Sequence, residues 1–348
     1  MSANGEQSIV EKSLIIFDMD GVLIDVSGSY REVVRRTVVH YLQWVIGAAQ
    51  LSNGFISVSD IDRIKKDGGL NNDWDLSYAI INSILFHYFD PHNSSLAQEF
   101  SSLNALGNDK RIEEEVCRVR KSFNAQKLLT ELGNRPVSTL YFEWKTTSKT
   151  VSPFLINHGD VRTGNLIKRI FQELYLGERL FADIYNEKPL FYKGSGFIDR
   201  EVLIPSLSDL QTLTESNVLS IATGRPEVEA WHAIEHFGLS SFFKSVVTED
   251  DIVAAEKKEK VSLRKPHPYT IGLCIERCGF EKDGFIYYVG DMPDDMVASR
   301  RAGVIPIGFV TGGESAAGTE PCEHGSLLMQ KGAKKVFFNF YDLTAYFA

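Results

Sequence analysis

The stretch Ser13-Leu-Ile-Ile-Phe-Asp18-Met-Asp20-Gly21-Val22 decides the fold of this chain. Its first half is a continuous apolar run, which is typical of a parallel β-strand buried on both faces. The run ends in two carboxylates spaced two residues apart, and a glycine follows. In open α/β sheets, ligands bind at the carboxyl ends of the strands. The segment therefore predicts a buried strand that delivers acids to a binding site.

The C-terminal half of the chain repeats this pattern. Five further apolar segments begin at Val218, Ser245, Phe285, Ile305 and Lys335. Helical patterns lie between them, over 226–237, 267–278 and 293–302. Strands that alternate with helices predict a Rossmann-like parallel sheet with right-handed crossovers.

The region between the first strand and the second differs in its periodicity. Its apolar residues recur every three or four positions, as in Val34, Val38 and Leu42, which indicates amphipathic helices. Helices are predicted over 29–46, 58–66, 73–89, 95–102, 109–132 and 163–185. The stretch 134–160 carries few helical signals and predicts a long loop or a small hairpin. The expected division is a catalytic core of 1–27 and 200–348 and an inserted, mostly helical cap domain of 28–199.

Composition limits the class of function. The 348 residues carry a net charge of −9, which argues against a nucleic-acid partner because binding to phosphate backbones requires a basic field. A local basic site or a metal ion can still attract a small anion. The four cysteines are irregularly spaced, so we expect reduced packing residues rather than a disulfide framework. No segment resembles a membrane span or a signal peptide, and we expect a soluble, cytoplasmic protein.

Asp18 and Asp20 are the first candidate catalytic residues. Two carboxylates at one strand end repel each other, and a divalent cation with hard oxygen ligands offsets that repulsion. One carboxylate can attack phosphorus, and the other can donate a proton to the leaving alcohol and then activate water. The alternative interpretation is an Asp-Gly turn with incidental acids.

Two further strand ends carry groups that suit a phosphate. At the first, the hydroxyl of Thr223 and the backbone N–H groups near Gly224 can hold phosphate oxygens. At the second, the ammonium of Lys265 can neutralise the phosphate and keep the nucleophile ionised. Each feature alone is also compatible with an ordinary polar turn or a surface cation.

A fourth strand ends in Gly290-Asp291-Met-Pro-Asp294-Asp295. Asp291 is expected to complete a cation site with Asp18 and Asp20. Asp295 is either a second ligand or a brace that bonds Lys265, and acids here also favour a helix N-terminus. The order of these four groups, each at a strand end, is the strongest indication of chemistry.

These residues together resemble the four motifs of the haloacid dehalogenase superfamily. The resemblance covers about residues 10–27 and 200–315, and it implies a sheet of order 5-4-1-2-3. It also implies an aspartyl-phosphate mechanism, with Mg²⁺ held by Asp18, the main-chain carbonyl of Asp20, and Asp291. The inserted domain lies where members with helical C1 caps place the cap, and the chain is similar to phosphoglycolate phosphatase-like members. Two cap segments resemble a small group of members with no settled substrate.

The resemblance implies a phosphatase that acts on a small phosphorylated metabolite. Dehalogenases of the superfamily lack the second acid that Asp20 supplies. A sugar-phosphate mutase is the second hypothesis, but related mutases carry a histidine where this chain has Tyr30. A non-catalytic binding module is the third. No feature predicts the oligomeric state, and no membrane partner is expected.

The cap is expected to select the substrate. The candidates are a loop with the pair Gly68-Gly69 together with Asn71, Asn72 and Trp74, and the basic residues Arg63, Lys65 and Arg162. The alternative is a plain helix–helix turn, in which Asn72 or its neighbour caps the next helix and Trp74 packs inside the domain.

Overall fold

The computed structural model divides the chain into two compact units. The core unit comprises Met1–Val26 and Val202–Ala348, and the helical unit comprises Ser27–Glu201. The structure describes residues 12–67, 70, 72–88, 117, 121, 124–133, 135–147, 155, 159–162, 165–281, 285–311 and 321–348.

A parallel sheet forms the centre of the core unit. Its strands are β1 (Ser13–Phe17), β4 (Asn217–Ala222), β5 (Phe243–Val247), β6 (Ile286–Gly290), β7 (Ile305–Phe309) and β8 (Lys335–Phe337), in the order β5-β4-β1-β6-β7-β8. The short strands β2 (Ile24–Asp25) and β3 (Val202–Leu203) form a separate antiparallel pair. The predicted Rossmann-like order is confirmed, with β8 added beside β7. Because β1 lies between β4 and β6, Asp18 follows the central strand.

Helices connect these strands. They are α7 (Leu207–Ser216), α8 (Glu227–His236), α9 (Glu249–Glu259), α10 (Tyr269–Cys278), α11 (Pro293–Ala302), α12 (Pro321–Lys331) and α13 (Phe340–Phe347). Local sequence sets several of their ends: Ser206 and Asp209 form a capping box at the start of α7, and Gly303 ends α11 at a φ of 77°. The apolar faces of α10 and α11 pack against the sheet through residues such as Ile271 and Ala298.

The helical unit contains α1 (Tyr30–His40), a π-helical continuation (Tyr41–Ile46), α2 (Val58–Lys66), α3 (Asp73–Tyr88), α4 (Ala125–Leu132), α5 (Val137–Thr147), α6 (Leu166–Tyr185) and a 3₁₀ turn (Phe197–Arg200). Most of these helices match the predicted ones. The predicted helix 95–102 and most of 109–132 lie outside the described residues.

The prediction of a loop or hairpin over 134–160 was wrong for its first part, which is the helix α5. Val137, Leu140 and Tyr141 are buried, and their spacing of three and four is that of a helix face. The polar and aromatic residues between them obscured this periodicity. Much of 148–160 lies outside the described residues.

Cys274 and Cys278 are buried free thiols in α10, as expected of packing residues. Burial raises the pKa of Cys274 to about 12, so this thiol stays protonated. In the part of the chain that the structure describes, no helix has the length and apolar content that a bilayer span requires.

Candidate active site

Asp18 leaves the central strand at the carboxyl edge of the sheet. Its N–H donates to the carbonyl of Val289 on β6 at 2.9 Å, which continues the strand pairing by one residue. The chain then turns sharply at Gly21, whose φ of 77° favours glycine. The N–H groups of Leu23 and Ile24 both donate to the carbonyl of Met19 at 2.9 Å. This turn fixes the backbone on which Asp18 and Asp20 stand.

Lys265 lies between two carboxylates at this edge. Its Nζ is 2.9 Å from Oδ2 of Asp18 and 2.9 Å from Oδ1 of Asp295. Burial alone would lower the pKa of Lys265, but the charges of Asp18 and Asp295 outweigh it and raise that pKa well above its ordinary value. The ammonium is therefore charged at every physiological pH.

Asp18 itself is largely buried, and burial raises its pKa to about 7. The neighbouring charges of Asp295 and Asp20 act in the same direction, while Lys265 opposes them. A cation bound beside Asp18 would favour the charged form of its carboxyl group. It would therefore offset the cost of ionising this group in a buried position.

Three buried carboxylates meet beside Lys265. One oxygen each from Asp18, Asp291 and Asp295 lie within 4.8 Å of one another. Gly290 allows this approach, since a Cβ at that position would lie 2.5 Å from the Cβ of Asp295. Three convergent carboxylates are the hard, anionic donors that Mg²⁺ binds in proteins, so the residues fit such an ion.

The position of Asp295 is compatible with both arrangements that the sequence left open. One of its oxygens contacts Lys265, and the other accepts the N–H of Met292 at 3.0 Å, which caps α11. Its carboxylate also belongs to the acidic group with Asp18 and Asp291. Bracing of Lys265 is thus observed, and metal ligation by Asp295 stays a prediction.

The side chain of Asp20 points to a different partner. Its Oδ1 lies 2.7 Å from Nε and 2.6 Å from Nη2 of Arg225, and the Arg225 side chain is only 1% exposed. The resemblance implied that Asp20 offers its main-chain carbonyl to the cation, and this stays a prediction. Among the described residues, the acidic group comprises Asp18, Asp291 and Asp295. Sequence analysis missed Arg225, although it follows directly in the same Thr-Gly-Arg segment.

Thr223 and Gly224 form the turn after β4. Thr223 is buried, its N–H donates to the carbonyl of Val247 at 2.9 Å, and its Oγ1 accepts the N–H of Arg225 at 3.1 Å. Gly224 is exposed, and a Cβ built there would meet no atom of the described residues within 4 Å. No described side chain or backbone atom therefore covers Gly224 on the side where a Cβ would stand.

A second arginine that the sequence did not single out braces the Lys265 segment. Arg264 forms a bidentate ion pair with Glu249, with Nη1 2.8 Å from Oε2. The N–H of Glu249 in turn donates to the carbonyl of Arg225 at 2.8 Å. Burial raises the pKa of Glu249, and Arg264 opposes this. The Thr223 turn and the Lys265 segment are therefore tied together through α9.

The helical unit gives a structural role to the described residues of the predicted substrate loop. Oδ1 of Asn72 accepts the N–H of Trp74 at 2.8 Å and of Asp75 at 3.3 Å, which caps α3. Lys168 lies over the ring of Trp74, 3.9 Å from its centroid. These contacts favour the helix–helix turn over the substrate loop for Asn72 and Trp74. Gly68, Gly69 and Asn71 lie outside the described residues.

Comparison with known proteins supports the interpretation of the core. Residues 205–309 match the family of haloacid dehalogenase-like hydrolases. This segment includes Thr223, Lys265 and Asp291, while Asp18 precedes it.

Two curated relatives match shorter parts of the chain. A phosphoglycolate phosphatase of Haemophilus influenzae (strain 86-028NP) is 27% identical over 124 residues, which cover 35% of this chain and 51% of that protein. An imidazoleglycerol-phosphate dehydratase of Phytophthora nicotianae is 26% identical over 147 residues, covering 42% of this chain and 29% of that protein. Each match thus spans about half or less of the relative's own length.

The fold has a counterpart among solved structures. An X-ray structure determined by the Northeast Structural Genomics Consortium superposes with a TM-score of 0.63 at 20% identity, and the match covers 96% of this chain and 98% of that one. It shows the shared fold. With the family match, it confirms the resemblance that the four motifs indicated.

Proposed function

Because the core of this chain belongs to the haloacid dehalogenase superfamily, we propose that the protein is a Mg²⁺-dependent phosphatase. It hydrolyses a small phosphate monoester through an aspartyl-phosphate on Asp18. The observation that carries the proposal is the position of Lys265, whose Nζ is 2.9 Å from both Asp18 and Asp295 at the end of the central strand. This ammonium is placed to neutralise a phosphoryl group beside the nucleophile.

In the first step, a carboxylate oxygen of Asp18 forms a bond to phosphorus, and the bond from phosphorus to the alcohol oxygen breaks. The departing oxygen takes a proton from Asp20. The hydroxyl of Thr223, the N–H of Gly224 and the ammonium of Lys265 stabilise the charge on the phosphoryl oxygens.

In the second step, a water oxygen attacks the phosphorus of the aspartyl-phosphate. Asp20 accepts a proton from that water, the bond between phosphorus and Asp18 breaks, and inorganic phosphate leaves. Asp18 is regenerated as a carboxylate and Asp20 as the protonated carboxylic acid with which the cycle began, so the cycle balances with one water consumed.

Asp18, the carbonyl of Asp20, and Asp291 would hold Mg²⁺. When bound, the ion supplies positive charge that offsets the repulsion between the carboxylates and the phosphoryl oxygens. Asp295, which already bonds Lys265, belongs to the same acidic group and is available as a further ligand.

The substrate is proposed to be a small phosphorylated metabolite, by analogy with the phosphoglycolate phosphatases that the core resembles. A mutase is less well supported. Tyr30, which stands where related mutases have a histidine, stacks on Tyr175 with ring centroids 4.5 Å apart inside the helical unit.

A steady-state assay tests this function. The purified protein is expected to release phosphate from p-nitrophenyl phosphate or from one of a panel of phosphorylated metabolites in the presence of Mg²⁺, and to stop in EDTA. Asp18→Asn should lower kcat by about 10⁴-fold or more, as expected for loss of a nucleophile. Asp250→Asn is the matched control, because Asp250 is an aspartate of the core unit that lies outside the acidic group and accepts the N–H of Glu227 at 2.6 Å.

Full activity of Asp18→Asn, or turnover that persists in EDTA, would reject the mechanism. An inactive wild-type protein across the whole ester panel with Mg²⁺ would reject the function.

A further inference from the structure

Arg225 is a buried cation with a defined target. Its side chain is 1% exposed, and its Nε and Nη2 lie 2.7 and 2.6 Å from the same oxygen, Oδ1 of Asp20. A buried guanidinium carries a large desolvation penalty, which good ion-pair geometry must offset. Asp20 is 33% exposed, so the pair joins a fixed internal arginine to a carboxylate that reaches the surface of the site.

The backbone of Arg225 is fixed on both sides of the residue. Its N–H donates to Oγ1 of Thr223 at 3.1 Å, and its carbonyl accepts the N–H of Glu249 at 2.8 Å. The guanidinium is planar and presents Nε and Nη2 in one direction, so it restricts the rotation of a carboxylate more than a lysine ammonium does. The position of Arg225 is thus set by the same turn that carries Thr223.

From this geometry we propose that Arg225 is a positioning residue that orients the carboxylate of Asp20 for proton transfer to the leaving group. The inference rests on the proposed phosphatase function. Both arginine N–H donors bond Oδ1 of Asp20, and this contact holds the carboxyl group in one orientation at the site. Without the contact to Arg225, we expect the carboxyl group of Asp20 to rotate more freely. Its proton would then face the leaving alcohol less often.

The competing explanation is that Arg225 only stabilises the turn after β4. The two roles differ in how activity depends on the leaving group. An alkyl alcohol is a poor leaving group and needs the proton from Asp20, whereas p-nitrophenolate leaves without one. A structural defect lowers turnover of both ester types alike.

The experiment therefore compares an alkyl phosphate that the wild type hydrolyses with p-nitrophenyl phosphate. Arg225→Met should lower kcat for the alkyl ester by about 10²-fold, near the lower end of the contribution of general acid catalysis, with KM little changed. Its effect on the aryl ester should stay below about tenfold. Arg225→Lys should recover part of the alkyl activity.

A double-mutant cycle with Asp20→Asn gives the second readout. If Arg225 acts through Asp20, the double variant Asp20→Asn/Arg225→Met is no slower than Asp20→Asn alone. Arg277→Met is the matched control, because Arg277 also pairs with an aspartate, Asp251, at the far end of α10. It should leave both activities unchanged.

Equal losses for the two esters in Arg225→Met, or effects of Arg225→Met and Asp20→Asn that multiply in the double variant, would overturn the proposal. If Arg225→Met does not fold, Arg225→Lys and its double variant with Asp20→Asn are judged by the same two criteria. A wild-type protein that is inactive on every ester rejects the proposed function instead, so the two failures are distinguishable.

Discussion

Buried charges are arranged differently in the two units. In the core unit, the carboxylates of Asp18, Asp291 and Asp295 gather around the ammonium of Lys265. Among these described groups the acids outnumber the base, and the cluster is anionic. The core unit therefore concentrates charge of one sign at the edge of its sheet.

In the helical unit, several described pairs of opposite charge lie in buried or partly buried positions. Arg31 lies 3.1 Å from Asp62, and Lys65 lies 2.9 Å from Asp73. Arg169 lies 2.9 Å from Glu173 on the same helix. In such a pair, the attraction between the two charges offsets part of the cost of taking each of them out of water.

This difference distinguishes charged residues that serve the fold from charged residues that serve a ligand or a reaction. A balanced pair loses stability when one member is removed, since the other is left buried and uncompensated. An unbalanced cluster gains stability when one acid is neutralised, because that acid was retained at a cost for a ligand or a reaction.

The largest effect on stability is expected at Glu173. Its carboxylate accepts the Nε of Arg169 and the N–H groups of Leu190, Phe191 and Tyr192. Glu173→Ala should lower the free energy of unfolding of the helical unit by about 3–5 kcal/mol. Tryptophan fluorescence during urea unfolding reports it, because Trp44, Trp74 and Trp144 lie in this unit.

Glu178→Ala, at an exposed position of the same helix, is the control and should change little. A Glu173→Ala protein as stable as the wild type would contradict the idea that the buried pairs of the helical unit stabilise its fold.

The opposite sign is expected at Asp18. Burial raises the pKa of this carboxyl from 3.8 to about 7, so holding it ionised at neutral pH costs stability. In EDTA at pH 7 to 8, Asp18→Asn should raise the free energy of unfolding of the core unit by about 2–4 kcal/mol. Calorimetry or circular dichroism measures it, and a destabilised variant would contradict the idea of an unbalanced cluster.

The pH dependence of that gain has a defined direction. A folded-state pKa above the unfolded value of 3.8 means that the folded protein binds the proton more tightly. In EDTA, the contribution of Asp18 to the free energy of unfolding of the wild type is therefore fully present below about pH 4. It is lost as the pH rises towards 7. The difference between Asp18→Asn and wild type should grow over this interval. A difference that is constant with pH would assign the stabilisation to another cause.

The smallest effect is expected for an exposed pair. Arg277 lies 2.5 Å from Asp251, with about 40% of its side chain exposed to solvent. Arg277→Met should change the free energy of unfolding by less than about 1 kcal/mol, and less still in high salt. A loss comparable to that of Glu173→Ala would show that burial does not decide these energies.

The catalytic cluster was predictable because its signal is local. Apolar runs predicted the strands, and parallel pairing brings the carboxyl ends of neighbouring strands to one edge, so Asp18 and Asp291 could be placed together. Lys265 was also predicted at a strand end, which was wrong, because it lies in the segment between α9 and α10. Its Nζ nevertheless reaches Asp18 at 2.9 Å. Arg225 was not predicted as a site residue, because its neighbours in sequence do not reveal that its side chain turns inward to Asp20. The same holds for Arg264, whose partner Glu249 lies 15 residues away.

The helical unit was less predictable for the same reason. Its helices follow from periodicity, but the pairing of Glu173 with the backbone of 190–192 depends on how distant segments pack. The helix α5 was missed because only Val137, Leu140 and Tyr141 carry its buried face among polar neighbours.

The central claim is that the anionic cluster of the core unit is a phosphoryl-transfer site with Asp18 as its nucleophile. The most direct measurement is to mix the Asp20→Asn protein with Mg²⁺ and p-nitrophenyl phosphate, whose leaving group needs no proton, quench in acid and locate the phosphoryl group by peptide mass spectrometry. We expect one phosphoryl group on the peptide that contains Asp18. The double variant Asp18→Asn/Asp20→Asn should carry none. A phosphoryl group on another residue, or an adduct that survives Asp18→Asn, would contradict it.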